Sequence, residues 1–526
     1  MDIKKFLESE YSYENFKKFI FDKFYGFEEN DIEYEEPDTN IEQKHILKYK
    51  FMGSCQLDDK KEIGFFEVIT TEKTDIENNR VSLGNILKNK ASNELLDSAI
   101  AVFYNPNNPS VWRLSFIKFS YDENDKKEVS NLKRFTYVLG KNIPIKTAYN
   151  QLKNLKYPSL IELEEAFSVD KVTKEFFINY KDLYFKLVKD LTVVNQKNIT
   201  QQEEKILEDN KQVSFYIKKL LGRIVFLYFV QKKGWLNSDR KFLSNLFYNF
   251  TKENPNINFY DEVLEDLFFN ALNTKRDNDK INLGGNEYEI PYLNGGLFEE
   301  DEYDKTDLTI TNENLKQVLE LFDSYNFTVI EDTPHDSEIA IDPEMLGRVF
   351  EDLLEDRKEK GAFYTPREIV HYMCQQSIIN YLLNFYGEDS LEDIKSLVIE
   401  DKTDTKFIRN NAKDIKKYLE DIKVLDPAIG SGAFPMGMLH EIVAVLSNLD
   451  KTADIGQLKR KVIENSIYGI DIEHSAVEIA KLRFWLSIVV DEEKPTPLPN
   501  LSYKIMVGNS LIETINGFDP LEISKN

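Results

Sequence analysis

Val424-Leu-Asp-Pro-Ala-Ile-Gly-Ser-Gly-Ala-Phe-Pro-Met-Gly-Met-Leu439 is the stretch from which the fold is read. The run from Ile422 to Leu425, broken only by Lys423, predicts a buried parallel strand. It ends in Asp426-Pro427, passes through a turn holding Gly430 and Gly432, and continues into Phe434, Met438, Ile442 and Leu446 at helical spacing. The order is strand, glycine loop, helix. Glycines remove the side chains that would keep a ligand from the backbone, and a helix start offers unpaired N–H groups, so the loop is suited to hold a cofactor. Glycines in a turn are most often turn glycines alone, and the flanking chain has to decide.

Downstream, Ser466-Ile-Tyr-Gly-Ile-Asp471 predicts a second strand ending in an acid, followed by a helix through Ala476, Ala480, Leu482, Phe484, Trp485 and Leu486. An acid at that place can accept hydrogen bonds from the two hydroxyls of a ribose, which makes Asp471 a candidate ligand. Its separation from the glycine loop exceeds the ~20 residues of a plain dinucleotide fold, which disfavours a nicotinamide or flavin enzyme. Residues Asp450 to Glu464 supply the excess as an expected inserted helix. Tyr503 to Leu511 reads as a third strand ending in Gly508-Asn509, whose amide could bond an adenine edge. Upstream, Asp342 to Leu354 has the pattern of a helix begun by Pro343. Thr365-Pro366-Arg367-Glu368, just after Tyr364, has the form of a capping box whose free N–H groups and Thr365 hydroxyl would suit a carboxylate.

The whole chain, 526 residues, is long enough for several domains. Residues 1–160 alternate strand-like runs, 63–69, 99–104 and 111–117, with polar turns, and predict an α/β domain. Asp58 or Asp59 ahead of a strand carrying Glu67 has the outline of a metal-dependent nuclease, yet the Lys of a Glu-x-Lys pattern is Ile69 here. Glu67 is therefore expected as the solvent-facing member of its strand, and the domain as at most a degenerate nuclease. Leu132 to Lys146 mixes basic and aromatic residues, as at a weak nucleic-acid site or a strand edge with solvated lysines. Residues 161–335 turn helical, with one helix through Ile217 to Tyr228 ending near Gly234 and a glycine-rich loop or hairpin at Asn282 to Phe298. With 67 Lys and Arg against 92 Asp and Glu, the net charge of −25 opposes a surface that embraces nucleic acid as a whole. Two distant cysteines, no run of the roughly 18 apolar residues a membrane span needs and no signal-peptide core at Met1 fit a soluble cytoplasmic protein without a membrane partner.

Gly361-Ala-Phe-Tyr-Thr-Pro366, Asp426 to Phe434, Gly469-Ile-Asp471 and Gly508-Asn-Ser-Leu511, in that order, resemble the cofactor half of adenine-specific DNA methyltransferases. The longer helical context resembles the single-chain type IIG restriction–modification and phage-defence enzymes. The resemblance covers roughly residues 160–526; joined to the α/β domain read at 1–160, it implies an α/β multidomain fold with a helical connector at 161–335 and, at 336–526, the start of a Rossmann-like domain with a truncated sheet. It implies S-adenosylmethionine as cofactor, with Tyr364, Thr365, Asp426, Ala428 and Gly430 at its methionine part. Asp471 falls at the ribose, Asn509 at the adenine where aspartate is commoner, and Phe434 lines the pocket. The family transfers the methyl group at an Asn/Asp-Pro-Pro-Tyr/Phe motif, and no Pro-Pro occurs in this sequence. No catalytic residue and no metal ligand is therefore assigned. The expectation is an enzyme class whose catalytic motif and target recognition lie in a C-terminal half or partner chain, with DNA contacted mainly there and this chain inactive alone. A non-catalytic scaffold subunit and a Mg²⁺-dependent nuclease centred on Glu67 are the alternatives.

Overall fold

A computed structural model describes residues 1–30, 33–37, 43–76, 88, 91–121, 129–194, 209–306, 308–328, 336–343, 345 and 365–512. In chain order the strands are β1 (Glu28–Glu29), β2 (Ile46–Gln56), β3 (Glu62–Thr70), β4 (Ser98–Asn105), β5 (Asn108–Tyr121), β6 (Val129–Gly140), β7 (Lys280–Leu283), β8 (Asn286–Glu289), β9 (Asp336–Glu338), β10 (Val424–Asp426), β11 (Ile467–Asp471) and β12 (Ile505–Val507). The chain divides into two compact units, Met1–Tyr180 with Glu320–Asp342, and Lys181–Leu319 with Pro343–Asn526. The three domains expected from the sequence have their bounds at residues 160 and 335, whereas the division by packing falls after Tyr180, Leu319 and Asp342. Among the described residues no helix is long and apolar enough to cross a membrane.

The first unit is built on a mixed seven-stranded sheet in the order β1-β2-β3-β4-β5-β6-β9, with α1 (Ile3–Glu8), α2 (Tyr13–Lys23), α3 (Lys146–Leu152) and α4 (Leu160–Ala166). β3 is covered on both faces, and Glu67 is fully buried within it, accepting hydrogen bonds from the hydroxyls of Tyr11, at 2.6 Å, and Tyr34. The expected solvent-facing Glu67 is thus corrected, because residues from outside the strand roof that face. Asp59 lies in the β2–β3 turn and accepts the Leu160 N–H at 3.1 Å. Glu62 at the turn end and Glu67 stand five positions apart on β3, roughly 17 Å at the strand rise, so Asp59 in the turn does not share a site with Glu67. β6 is not a free edge, since Arg134 is buried and its Nε reaches Asp336 of β9 at 3.0 Å; its charge is used inside the protein.

In the second unit, α5 (Val169–Val194), shared with the first, is followed by α6 (Asn210–Lys232), α7 (Phe242–Glu253) and, after the β7–β8 hairpin, α8 (Asn312–Asp323). α6 ends as expected, with Gly234 at φ 76° two residues on. Gly284-Gly285, at φ 56° and 91°, forms the two-residue hairpin turn. Then come α9 (Arg367–Tyr386), α10 (Leu391–Ile399), α11 (Lys406–Asp421), α12 (Ala433–Leu449), α13 (Ile455–Asn465) and α14 (His474–Asp491). β10, β11 and β12 form a parallel sheet in that order, with α12 and α13 crossing from β10 to β11 and α14 from β11 to β12. Right-handed crossovers taken in one direction place these helices on one face. The other face carries Leu425 and Met506, 60% and 40% exposed. β10 is accordingly not the doubly buried strand expected from its apolar run, since among the described residues only one of its faces is covered. The helix expected from Asp342 to Leu354 lies largely outside the described residues.

Candidate functional site

The sheet brings the glycine loop and the acid together. Asp426 at the end of β10 pairs in register with Gly469, and Asp471 at the end of β11 with Val507, so three strand ends meet along one edge. The Ile429 N–H donates to the Ile470 carbonyl at 2.9 Å and lays the loop across β11. Gly469 permits this, because a Cβ there would stand 2.2 Å from Cδ1 of Ile429. The Gly430 N–H then donates to Oδ2 of Asp471 at 2.8 Å, while Oδ1 of Asp471 accepts the Glu473 N–H at 2.9 Å. Asp471 therefore fixes both the loop and the turn into α14, and keeps further lone pairs on each oxygen.

Gly430 sits at φ 53° with nothing within 4 Å of the place a Cβ would take, so the loop borders open space. Gly432, at φ 87°, caps α12, and a Cβ there would stand 3.3 Å from the Ala480 methyl of α14. Asp426 accepts the Ala428 N–H at 3.1 Å. Burial, and then the charge of Asp471, push its carboxyl above the usual value in spite of that bond. On the third strand the Gly508 N–H donates to the Asp471 carbonyl at 2.8 Å and the Ser510 hydroxyl to the Pro427 carbonyl, so the β12 end closes onto the same loop. Asn509 lies between them, its Oδ1 taking the Leu511 N–H at 3.0 Å. Asp426, Ala428, Gly430, Asp471 and Asn509 thus gather at one sheet edge.

Phe434 lies half-buried in the first turn of α12, and its carbonyl accepts the Cys374 thiol of α9 at 3.6 Å. α9 can approach because residue 437 is glycine; a Cβ there would stand 2.5 Å from Val370 Cγ1 and 3.1 Å from Cys374 Sγ. His371 of α9 pairs with Glu441 of α12, whose carboxyl burial raises while His371 opposes. Thr365 precedes α9, but the expected capping box does not form. Pro366 is itself the N-cap, with extended ψ of 141°, and its carbonyl takes the N–H groups of Ile369 and Val370 at 3.0 and 3.1 Å. Among the described residues no hydrogen bond joins Thr365 to the glycine loop, and Tyr364 lies outside them.

Sequence reasoning did not find Arg483. This buried cation on α14 donates to the Ser431 carbonyl at 2.8 Å and holds the loop from beneath. A lone arginine inside an apolar helix pattern was its only signal.

The family profile of the MmeI DNA-methyltransferase domain matches residues 400–494, which include the glycine loop and Asp471, and a domain of unknown function, DUF7814, matches residues 172–345. The chain is similar to a protein of Methanocaldococcus jannaschii named as a type II restriction enzyme and methyltransferase, 30% identical over an alignment 465 positions long that covers 77% of this chain and 39% of the relative. It is also similar to the adenine-specific methyltransferase BrxX of Escherichia coli, 31% identical over 140 residues, 26% of this chain and 11% of that protein. Among solved structures, the type IIL restriction-modification enzyme MmeI in complex with DNA matches with a TM-score of 0.40 at 18% identity, over 66% of this chain and 41% of that one. The chain spans less than two fifths of the length of each of these curated relatives. By sequence, the chain is similar to DNA methyltransferases of restriction–modification systems, most locally at the glycine loop and Asp471.

Proposed function

We propose that the edge formed by Asp426–Gly432, Asp471 and Asn509 binds S-adenosylmethionine for methylation of adenine in DNA, in a restriction–modification or phage-defence system. The observation that carries this reading is the hydrogen bond from Gly430 to Asp471, which sets a carboxylate beside an open glycine loop at the carboxyl ends of parallel strands. The residues fit the group. Asp471 retains acceptor capacity for ribose hydroxyls, Asn509 stands at the neighbouring strand end for the adenine edge, and no side chain at Gly430 fills the loop's open side. Asp426, Ala428, Phe434, Thr365 and Tyr364 are assigned to the methionine end. The bound cofactor supplies an electrophilic methyl group on a sulfonium; the chain's residues orient it by fixing both ends.

The methyl acceptor site is assigned to further strand–helix units, in the same polypeptide or a partner chain, that carry the Asn/Asp-Pro-Pro-Tyr/Phe motif and target recognition. The uncovered sheet face at Leu425 and Met506 supports this, since parallel sheets are ordinarily covered on both faces. DNA is contacted mainly through those units. The test is transfer of labelled methyl groups to unmethylated DNA by the 526 residues alone and with the C-terminal part of a relative supplied in trans. Incorporation into adenine only with the added part supports the proposal. Robust turnover by the chain alone refutes the division, and incorporation into cytosine refutes the adenine assignment.

A further inference from the structure

The helical region between the two α/β parts reads from the sequence as a connector, yet α6 lies along α14 for nearly its whole length. Phe215 stacks on His474 with ring centroids 4.5 Å apart and planes 26° apart. A Cβ on Gly222 would stand 3.7 Å from Leu482, and Lys233, just past the end of α6, donates to the Val490 carbonyl at 2.9 Å. Partners advance together along both helices, so the two run parallel. The amino-terminal part of α6 therefore stands where α14 begins, beside the end of β11 and Asp471.

His474 is the first residue of α14, three residues after Asp471. The intervening turn is tied by the Glu473 N–H to Asp471 Oδ1. Phe215 is braced from its own side by Tyr303, whose ring lies 5.3 Å away. The loop carrying Tyr303 is anchored next to it by Asp304, which receives the buried Arg223 guanidinium at 2.7 and 2.9 Å and the Lys219 ammonium at 2.6 Å. Arg223 also donates to the carbonyls of Leu297 and Glu299, at 3.0 and 2.9 Å. A buried, bidentate ion pair of this kind gives a loop one geometry, and Tyr303 of that loop contacts Phe215, which in turn stacks on His474.

We infer that α6 is a wall of the nucleoside end of the cofactor site, with Phe215 as the positioning residue that holds the Asp471–His474 turn ready for the ribose. The inference rests on the cofactor reading proposed above and goes beyond it, since it gives the connector a share in binding. Phe215 touches no reacting atom and acts through His474. Its effect should fall on every ligand that carries the adenosine part, whether or not the amino-acid part is present.

The experiment uses the full chain with Phe215→Leu, which keeps an apolar side chain but loses the ring stack, and Phe215→Tyr, which keeps the ring. Calorimetric titrations with S-adenosylmethionine, S-adenosylhomocysteine and 5′-methylthioadenosine are compared with amide exchange of Glu473 and Ser475 in the ligand-free protein. Phe215→Leu is expected to weaken all three ligands by the same factor, about two- to tenfold, the worth of an aromatic pair. It should also speed exchange at the turn, and Phe215→Tyr should restore both. Unchanged affinities overturn the inference, even where the melting temperature falls, because the contact is then packing alone. A loss confined to the two ligands that carry the amino acid also overturns it. Failure of the wild-type chain to bind any of the three refutes the cofactor reading itself and this inference with it, an outcome distinct from a variant that binds like wild type.

Discussion

Replacing Asp471 by asparagine tests how the glycine loop is held. In the native chain one carboxylate oxygen takes the Gly430 N–H at 2.8 Å and the other takes the Glu473 N–H at 2.9 Å. An asparagine has one oxygen and one NH2 group, so it can accept one of these donors and must face the other with a donor of its own. A hydrogen bond to a charged acceptor is lost, which costs about 1.5–3 kcal/mol. The loop that the bond orders loosens at the place proposed to receive the ligand's ribose. Carried into binding, this is a loss of roughly tenfold to a hundredfold in affinity for S-adenosylmethionine. The substitution also removes the negative charge beside Asp426, whose carboxyl then moves back toward its usual value although burial still raises it. Isothermal titration of wild-type and Asp471→Asn chains at neutral pH measures the difference. Dissociation constants within twofold of each other would refute the reasoning that Asp471 organises the site.

Gly437→Ala forces a methyl group to within 2.5 Å of Val370, and the overpacking is expected to cost about 1–3 kcal/mol, seen as a lower urea midpoint; an unchanged midpoint means that α9 and α12 can separate freely. Glu67→Ala removes the acceptor shared by Tyr11 and Tyr34 and should destabilise the first unit by about 1–3 kcal/mol in limited-proteolysis or melting assays, with a neutral result sinking its structural role. Burial, followed by the charges of Asp261 and Asp304, pushes the Glu265 carboxyl up to about 7. The folded chain then holds a proton that the unfolded chain has released above about pH 4.3, so this group's contribution to stability falls as pH rises from about 4.5 to about 7. Glu265→Gln should flatten that fall and gain about 1–2 kcal/mol at pH 8 after allowance for screening, and identical pH profiles of the two proteins would contradict it.

The strand–glycine loop–helix unit and the acid that follows it were legible because their signals are local. A strand, two loop glycines and a helical period follow one another between residues 422 and 446, and the acid at Asp471 closes a strand pattern of its own. The Gly-Gly hairpin and the helix end at Gly234 were readable for the same reason, since a left-handed backbone conformation selects glycine. Features that depend on distant residues were not. Glu67 alternates with apolar residues as a solvent-facing side chain would, and only Tyr11 and Tyr34, brought in from the chain start, make it a buried acceptor. β9 is three residues, two of them acidic, and joins the sheet because Arg113 and Arg134 receive those acids. At Thr365 the local motif was present and still misleading, because Pro366 adopts an extended ψ and begins the helix one residue later. Arg483, which bonds the glycine loop, and Phe215, which stacks on His474, come from helices whose sequence shows only packing.

Equilibrium dialysis of the 526-residue chain against labelled S-adenosylmethionine, with S-adenosylhomocysteine and NADH as competitors, addresses the central claim most directly. One molecule bound per chain, displaced by S-adenosylhomocysteine and indifferent to NADH, is the predicted result. No retention of label at millimolar ligand, or displacement by NADH, would contradict the assignment of the Asp426–Gly432 loop to a methyl donor.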